Sequence, residues 1–306
     1  MPYNVSSILE RLLEMFSDWS RIFPSSRTHQ RAVSLVLGSY MNSQRKTITN
    51  AIVGSGREQQ DWSADYKLFS RALWESENLF EPVQKFWIED HLQRGWAHQP
   101  LISAIDTTNA KKTGRKIPHT QRYRDPMSPP FHVNLQWGQR FLQISGLIPS
   151  RSIEKGSSRG IPMMLRCCPR PQKPGRKASV EEVKEYEAAL ERHKLSRVTV
   201  AEVRNHRERL DRLGGKDQVL LMVGDGAFAN KEIYAPDWDR VVWLCRTRKD
   251  MALYYPWCEG EGGRKRWLRH FRDVSAPWLE SSEAAAQTRV LRGKRQMFMW
   301  ANISAA

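Results

Sequence analysis

The chain has 306 residues, which is enough for one large domain or two smaller ones with a sizeable buried core. Its 49 Lys and Arg residues against 33 Asp and Glu residues give a formal net charge of +16, spread along the sequence, and such a field attracts polyanions such as nucleic acid. No apolar run approaches membrane-spanning length, the first residues lack a signal-peptide pattern, and the four cysteines form no C-x-x-C pair.

These features exclude a membrane protein, a disulfide-stapled scaffold and a zinc ribbon. We expect a cytoplasmic protein with no membrane partner.

Residues 1–98 predict an all-helical N-terminal region. Apolar residues recur at helical spacing from Val5 to Phe16, and Trp62, Tyr66, Phe69 and Leu73 form a common stripe within a later helix. After the first helix, the pattern predicts helices at 28–40, 44–53, 61–74 and 81–93.

Two of these helices, 28–40 and 44–53, are joined by a short break at Asn42-Ser43. One interpretation is a helix-turn-helix that places Arg45 and Lys46 against a DNA groove. The other is an ordinary helical hairpin, and the sequence favours neither.

From Pro100 the pattern changes to short apolar runs that predict strands. Gly138 lies near the expected turn of a hairpin within 131–148, and Gly214-Gly215 ends the second of two polar helices. The expected strands are 101–105, the hairpin, 160–167, 218–223, 240–245 and a pair within 287–303; the expected helices are 180–193 and 198–213. This order predicts an α/β fold whose mixed sheet is flanked by helices.

An aspartate follows each of two apolar runs: Asp106 closes 101–105, and Asp225 follows 218–223. Metal-assisted phosphoryl transfer needs carboxylates held rigidly at neighbouring strand ends, where they bind divalent ions. Two structural interpretations compete with this one. Asp106 suits an Asx-turn, and Asp225-Gly226 suits a hairpin turn, although the residues from Asn230 onward indicate the start of a helix.

The aspartates lie in segments that resemble insertion-sequence transposases of the Asp-Asp-Glu superfamily. The four segments that carry the resemblance are Ile105–Thr108, Asn134–Ser145, Val223–Asn230 and Trp243–Asp250. The second resembles the second and third strands of the family's RNase H-like core. The resemblance implies a partial core at 99–258, preceded by the helical region and followed at 259–306 by the start of a β-rich insertion.

By the same resemblance, Asp106 and Asp225 are catalytic metal ligands, and two Mg²⁺ or Mn²⁺ ions are expected in the complete site. The implied function is cleavage and strand transfer of insertion-sequence DNA ends in the bacterial nucleoid, with double-stranded DNA as partner and a homodimer on DNA as an open option. The residues expected to contact DNA are Arg45, Lys46, Lys111, Lys112, Arg115, Lys116, Arg246, Arg248 and Lys249.

The family's third acidic residue is not evident in the sequence. No helix of the form Tyr-x-x-Arg-x-x-x-Glu is found before Ala306, and Glu280 and Glu283 are the late acids on a plausible helix. The alternatives are a catalytically incomplete DNA-binding remnant or regulator derived from a transposase, and a nuclease on the same core that cuts without joining. We therefore expect this chain alone to bind DNA and to show little cleavage.

Overall fold

The chain divides into two compact units, Met1–Phe86 and Trp87–Ala306. The computed structural model describes residues 5–71, 73–114, 116–125, 127–129, 131–149, 158–246, 284–291 and 294–301. No helix within these ranges is long and apolar enough to cross a membrane. The division falls before the predicted boundary at residue 98, because Trp87 and Ile88 are buried and pack beside Gly146 and Gly215 of the second unit.

The first unit is helical, as the sequence predicts. Side-chain caps begin two of its helices: Ser25 Oγ accepts a hydrogen bond from Thr28 N at 3.2 Å, and Thr47 Oγ1 accepts one from Asn50 N at 3.1 Å. The helices are α1 (Val5–Trp19), α2 (Ser26–Met41), α3 (Ile48–Gly54), α4 (Ser63–Ser70), a 3-10 helix (Ser76–Phe80) and α5 (Glu81–Gln93), which continues into the second unit.

Helices α2 and α3 cross at two glycines. A Cβ atom on Gly38 would overlap the carbonyl oxygen of Ala51, and one on Gly54 would overlap the carbonyl oxygen of Gly38. Glycine at both positions therefore allows the two backbones to touch, and any larger residue would push the helices apart.

Helix α4 is shorter than the predicted 61–74 segment, and the aromatic stripe is not its buried face. Asp65 and Leu68 are buried, whereas Phe69 is 51% exposed and Leu73, beyond the helix end, is 84% exposed. Tyr66, Phe69 and Leu73 of the stripe are exposed, and the residues of α4 that face the interior are Asp65 and Leu68.

That buried residue, Asp65, holds an ion-pair network at the centre of the first unit. Its Oδ2 atom lies 2.8 Å from Arg57 Nη2, and its Oδ1 atom lies 3.3 Å from Arg31 Nε. The Asp65 side chain is 0% exposed. A charge removed from water in this way stabilises the fold only while its partners remain in place.

We predict that Asp65→Asn lowers the free energy of unfolding by about 3–5 kcal/mol, because the two guanidinium groups lose their counter-charge. Urea denaturation followed by circular dichroism measures the change. The control is Glu58→Gln, an exposed site where we expect a change within about 0.5 kcal/mol. A loss at Asp65 no larger than at Glu58 would contradict this account.

The second unit is built on a mixed sheet, as the sequence predicts. The strand order is β2-β3-β1-β5-β6-β8-β7, and β4 also pairs with β3, further along that strand than β2. Strands β1, β5 and β6 run parallel to one another, and the other neighbours are antiparallel. The described strands are β1 (Leu101–Lys111), β2 (Gln121–Arg124), β3 (Leu135–Pro149), β4 (Ser158–Cys167), β5 (Leu220–Gly224), β6 (Val241–Arg246), β7 (Ala284–Leu291) and β8 (Lys294–Ala301). The helices are α6 (Val180–Arg192), α7 (Leu195–Leu210) and α8 (Lys231–Tyr234).

The predicted hairpin at 131–148 is wrong, because this segment contains one continuous strand, β3, and not two. Gly138 is not at a turn: it pairs with Lys111 of β1. A Cβ atom on Gly138 would lie 2.5 Å from the carbonyl oxygen of Ala110, so the glycine allows a close approach of two strands.

The late strands β7 and β8 flank Arg292-Gly293, as the sequence predicts. They extend the central sheet, because β8 pairs with β6. Glu280 and Glu283, the late acids singled out in the sequence, lie outside the described residues.

One face of the sheet forms the core of the second unit. Its inward residues alternate along four neighbouring strands and are at most 3% exposed: Leu101, Ile105, Leu142, Ile144, Leu220, Met222, Val241 and Trp243. Helix α7 contributes His206, whose Nε2 atom lies 3.4 Å from Ser103 Oγ on this face. The alternation of side chains along these four strands thereby buries one face of the sheet.

The end of α7 is tied to the sheet by a buried guanidinium. Arg207 donates to Asp211 Oδ1 at 2.7 Å and to the carbonyl oxygen of Gln218 at 2.9 Å. Arg240 donates to Asp211 Oδ2 at 3.0 Å. A short π-helical segment, Asp211–Gly215, follows α7, and the helical run is broken at Gly214, whose φ of 100° is in the left-handed region; this confirms the predicted stop at Gly214-Gly215.

His206 gives the second unit a pH dependence. Burial, with smaller effects from Arg207 and Arg209, lowers the pKa of His206 to about 3. Unfolded histidine titrates near pH 6.5, so below that pH the unfolded chain binds a proton that the folded chain does not.

We predict that the free energy of unfolding falls as the pH is lowered from about 6.5 towards 3, with a contribution from His206 of at most about 1.4 kcal/mol per pH unit. Urea titrations at pH 7 and pH 5 measure it, and His206→Gln reduces the difference between them. The exposed His132→Gln is the control. An unchanged difference in His206→Gln would show that His206 does not carry the effect.

Candidate active site

The two aspartates follow the last paired residues of two parallel strands. The pairing of β1 with β5 runs from Leu101 opposite Leu220 to Ile105 opposite Gly224. Asp106 and Asp225 are the next residues on each side. The register therefore brings them side by side, just past the C-terminal end of the pairing between β1 and β5, on strands that lie about 4.8 Å apart.

Asp106 itself is in the middle of a strand. β1 continues to Lys111 and pairs with β3 over its whole second half. The predictions that Asp106 ends its strand and that it forms an Asx-turn are both wrong. Asp106 marks instead the point at which the parallel neighbour of β1 ends.

Both carboxylates are on the face of the sheet opposite the core. Ile105 and Met222 point inward, so the alternation of a strand turns Asp106 outward and, with the register continued by one residue, Asp225 as well. Both aspartates are exposed.

The chain after β5 turns sharply around a buried aromatic ring. A Cβ atom on Gly224 would lie 3.1 Å from Phe228 Cβ, and Phe228 is buried. Asn230 then caps α8, its Oδ1 accepting from Ile233 N at 3.3 Å. The hairpin interpretation of Asp225-Gly226 is therefore wrong, because a helix and not a return strand follows.

Each carboxylate keeps one oxygen that accepts no hydrogen bond from the described part of the chain. Asp106 Oδ1 accepts from Thr107 N at 2.7 Å, and Asp225 Oδ1 accepts from Ala227 N at 2.9 Å. Within the described ranges neither aspartate forms an ion pair. Hard divalent cations bind such oxygens with water and phosphate completing the shell, so the donor set fits Mg²⁺ or Mn²⁺.

A third acidic ligand is not found among the described residues. In these ranges no group of three or more His, Cys, Asp or Glu side chains is placed to hold a metal ion.

Polar residues flank the aspartates on the neighbouring strands. Gln143 of β3 is opposite Asp106, and Arg246 of β6 follows Cys245, the partner of Gly224. Arg246 is exposed, so its guanidinium is accessible to an anion near the aspartates. Arg246 is among the residues that the sequence predicts to contact DNA, and that contact stays a prediction. Gln143 was not singled out, because only the pairing of two strands distant in sequence places it here.

The buried thiol of Cys245, opposite Gly224 on β6, is uncharged. Burial raises the pKa of Cys245, and burial also raises the pKa of Tyr234, which packs against it. Neither Cys245 nor Tyr234 therefore carries a charge at neutral pH.

The basic residues that follow Asp106 in sequence begin only at the last residue of β1. Lys111 is the last residue of β1, about 16 Å along the strand from Asp106, and Lys112 and Lys116 come after it in sequence. Lys111 Nζ lies 4.0 Å from Asp125 Oδ2. Their DNA contacts stay predictions; Arg115, Arg248 and Lys249 lie outside the described residues.

Arg45 and Lys46 are not on a recognition helix. Helix α3 begins at Ile48 and not at residue 44, because Thr47 caps it. Lys46 Nζ donates to the carbonyl oxygen of Asn42 at 2.7 Å, at the end of α2. Any contact of these residues with DNA would come from the connector between the two helices.

No protein-family model matches the chain, and no curated protein matches it.

We predict that Asp106→Asn and Asp225→Asn each leave the free energy of unfolding unchanged or raise it by up to about 1 kcal/mol without metal. Asparagine keeps the accepting Oδ1 atom and removes the repulsion between two neighbouring carboxylates. Urea denaturation in a chelating buffer measures this, with the strongly destabilising Asp65→Asn as the matched control. A loss above about 1 kcal/mol would assign the aspartates a structural role instead.

Proposed function

We propose that this chain is a metal-dependent DNA phosphoryl transferase of the Asp-Asp-Glu transposase type, with an RNase H-like core. The observation that carries the proposal is the position of Asp106 and Asp225 after the last paired residues of parallel strands β1 and β5. A pair of carboxylates on adjacent strands is a rigid support for divalent ions, and rigid support is what in-line phosphoryl transfer requires.

The strand order supports the RNase H-like assignment. Strands β4, β3 and β1 form an antiparallel run, and β5 and β6 follow in parallel with β1. Helices α6 and α7 lie between the two groups in sequence. This is the skeleton that the resemblance to transposases implies.

The side chains of Asp106, Asp225 and Arg246 suit the binding of a nucleic-acid backbone. Divalent ions, when bound, activate the attacking oxygen and stabilise the leaving oxygen of a phosphodiester. Asp106 and Asp225 hold the ions, and Arg246 holds a phosphate beside them and so positions the strand. The net charge of +16 favours DNA over an uncharged substrate.

We predict that DNA cleavage by the full chain requires Mg²⁺ or Mn²⁺ and both aspartates. The assay incubates purified chain with linear duplexes carrying the DNA that flanks its gene, with each metal, and scores strand cuts and joined products. Asp106→Asn and Asp225→Asn abolish any cleavage while DNA affinity stays within about threefold, because only the ion-binding groups change.

Three other outcomes are informative. Equal cleavage by the wild-type chain and both variants would contradict the proposal. DNA binding without cleavage in either metal is the result expected of a chain without a third acidic residue, and it would favour the alternative, a catalytically incomplete DNA-binding remnant or regulator derived from a transposase. Cleavage without any joined product would favour a nuclease on the same core.

A further inference from the structure

An uncharged polar residue, Gln143 of β3, lies beside Asp106 on the side of β1 away from β5. β3 pairs antiparallel with β1, and this pairing puts Gln143 opposite Asp106. Because paired residues share a face, Gln143, Asp106 and Asp225 form a row across three adjacent strands. Opposite residues of antiparallel strands have Cβ atoms about 5 Å apart, within reach of one bound cation.

The amide of Gln143 is oriented by its own strand. Gln143 Nε2 donates to Ser145 Oγ at 2.9 Å, and both side chains are on the same face of β3. The amide nitrogen is thereby occupied, and Oε1 accepts no hydrogen bond from any residue that the structure describes. An oriented carbonyl oxygen beside two carboxylates is a donor that hard cations accept.

We propose that Gln143 is the third protein group of the divalent-ion site, with its amide oxygen as a ligand beside Asp106 and Asp225. This inference rests on the proposed function. The glutamine adds an oxygen to the site without adding a charge, and its bond to Ser145 limits the freedom that would be lost on binding.

The test is Mn²⁺ binding, measured from the electron paramagnetic resonance signal of free Mn²⁺ at increasing concentrations of the full chain. Gln143→Leu removes the oxygen, and we expect the affinity to fall about tenfold. Gln143→Glu adds a carboxylate, and we expect tighter binding together with a larger rise in melting temperature on adding Mn²⁺ than in the wild-type chain.

The matched control is Gln139→Leu, on the same face of β3 but about 13 Å further along the strand, where we expect no change in Mn²⁺ affinity. Wild-type affinity in Gln143→Leu, or no gain in Gln143→Glu, would overturn the inference. Asp106→Asn in the same assay separates the two proposals. If it binds Mn²⁺ as the wild-type chain does, the aspartate site itself fails; if it loses binding while both Gln143 variants match the wild-type chain, only the role of Gln143 fails.

Discussion

The parallel pairing of β1 with β5 is the constraint on which the candidate site depends. It covers five residues on each strand, and the buried side chains of Leu101, Ile105, Leu220 and Met222 fix its register. A shift of one residue would turn Asp225 towards the core and expose leucine and methionine, at a cost of several kcal/mol. The core therefore sets the position of the carboxylates, although they take no part in it.

The opposite end of β5 and the start of the neighbouring strand β6 are held by charged side chains. Arg207 and Arg240 share Asp211, and Arg207 also binds carbonyl oxygens that precede β5. A buried guanidinium is expensive to desolvate, so this network keeps its geometry only while all of its hydrogen bonds are made. It anchors α7 and the starts of β5 and β6. From there, the apolar pairing of β1 with β5 fixes the strand positions as far as Asp106 and Asp225.

Local patterns predicted the elements that local physics determines. Helix 81–93, the stop at Gly214-Gly215 and the apolar strands around both aspartates follow from periodicity and backbone preference. The single long strand β3 was missed because, in the sequence, Gly138 could equally be a glycine at a turn or a glycine that allows two strands to approach closely. The buried face of α4 was not predicted because Asp65 lies on it, and its partners Arg31 and Arg57 come from other segments of the chain. Gln143 was missed for the same reason, since its place beside Asp106 depends on a cross-strand register.

The central claim is that Asp106 and Asp225 together bind a divalent ion. A crystal of the full chain grown with Mn²⁺, with anomalous scattering recorded near the manganese absorption edge, tests it most directly. The account predicts an anomalous peak about 2.1 Å from a carboxylate oxygen of each aspartate. Anomalous peaks elsewhere with none at these carboxylates, or two side chains too far apart to share an ion, would contradict it.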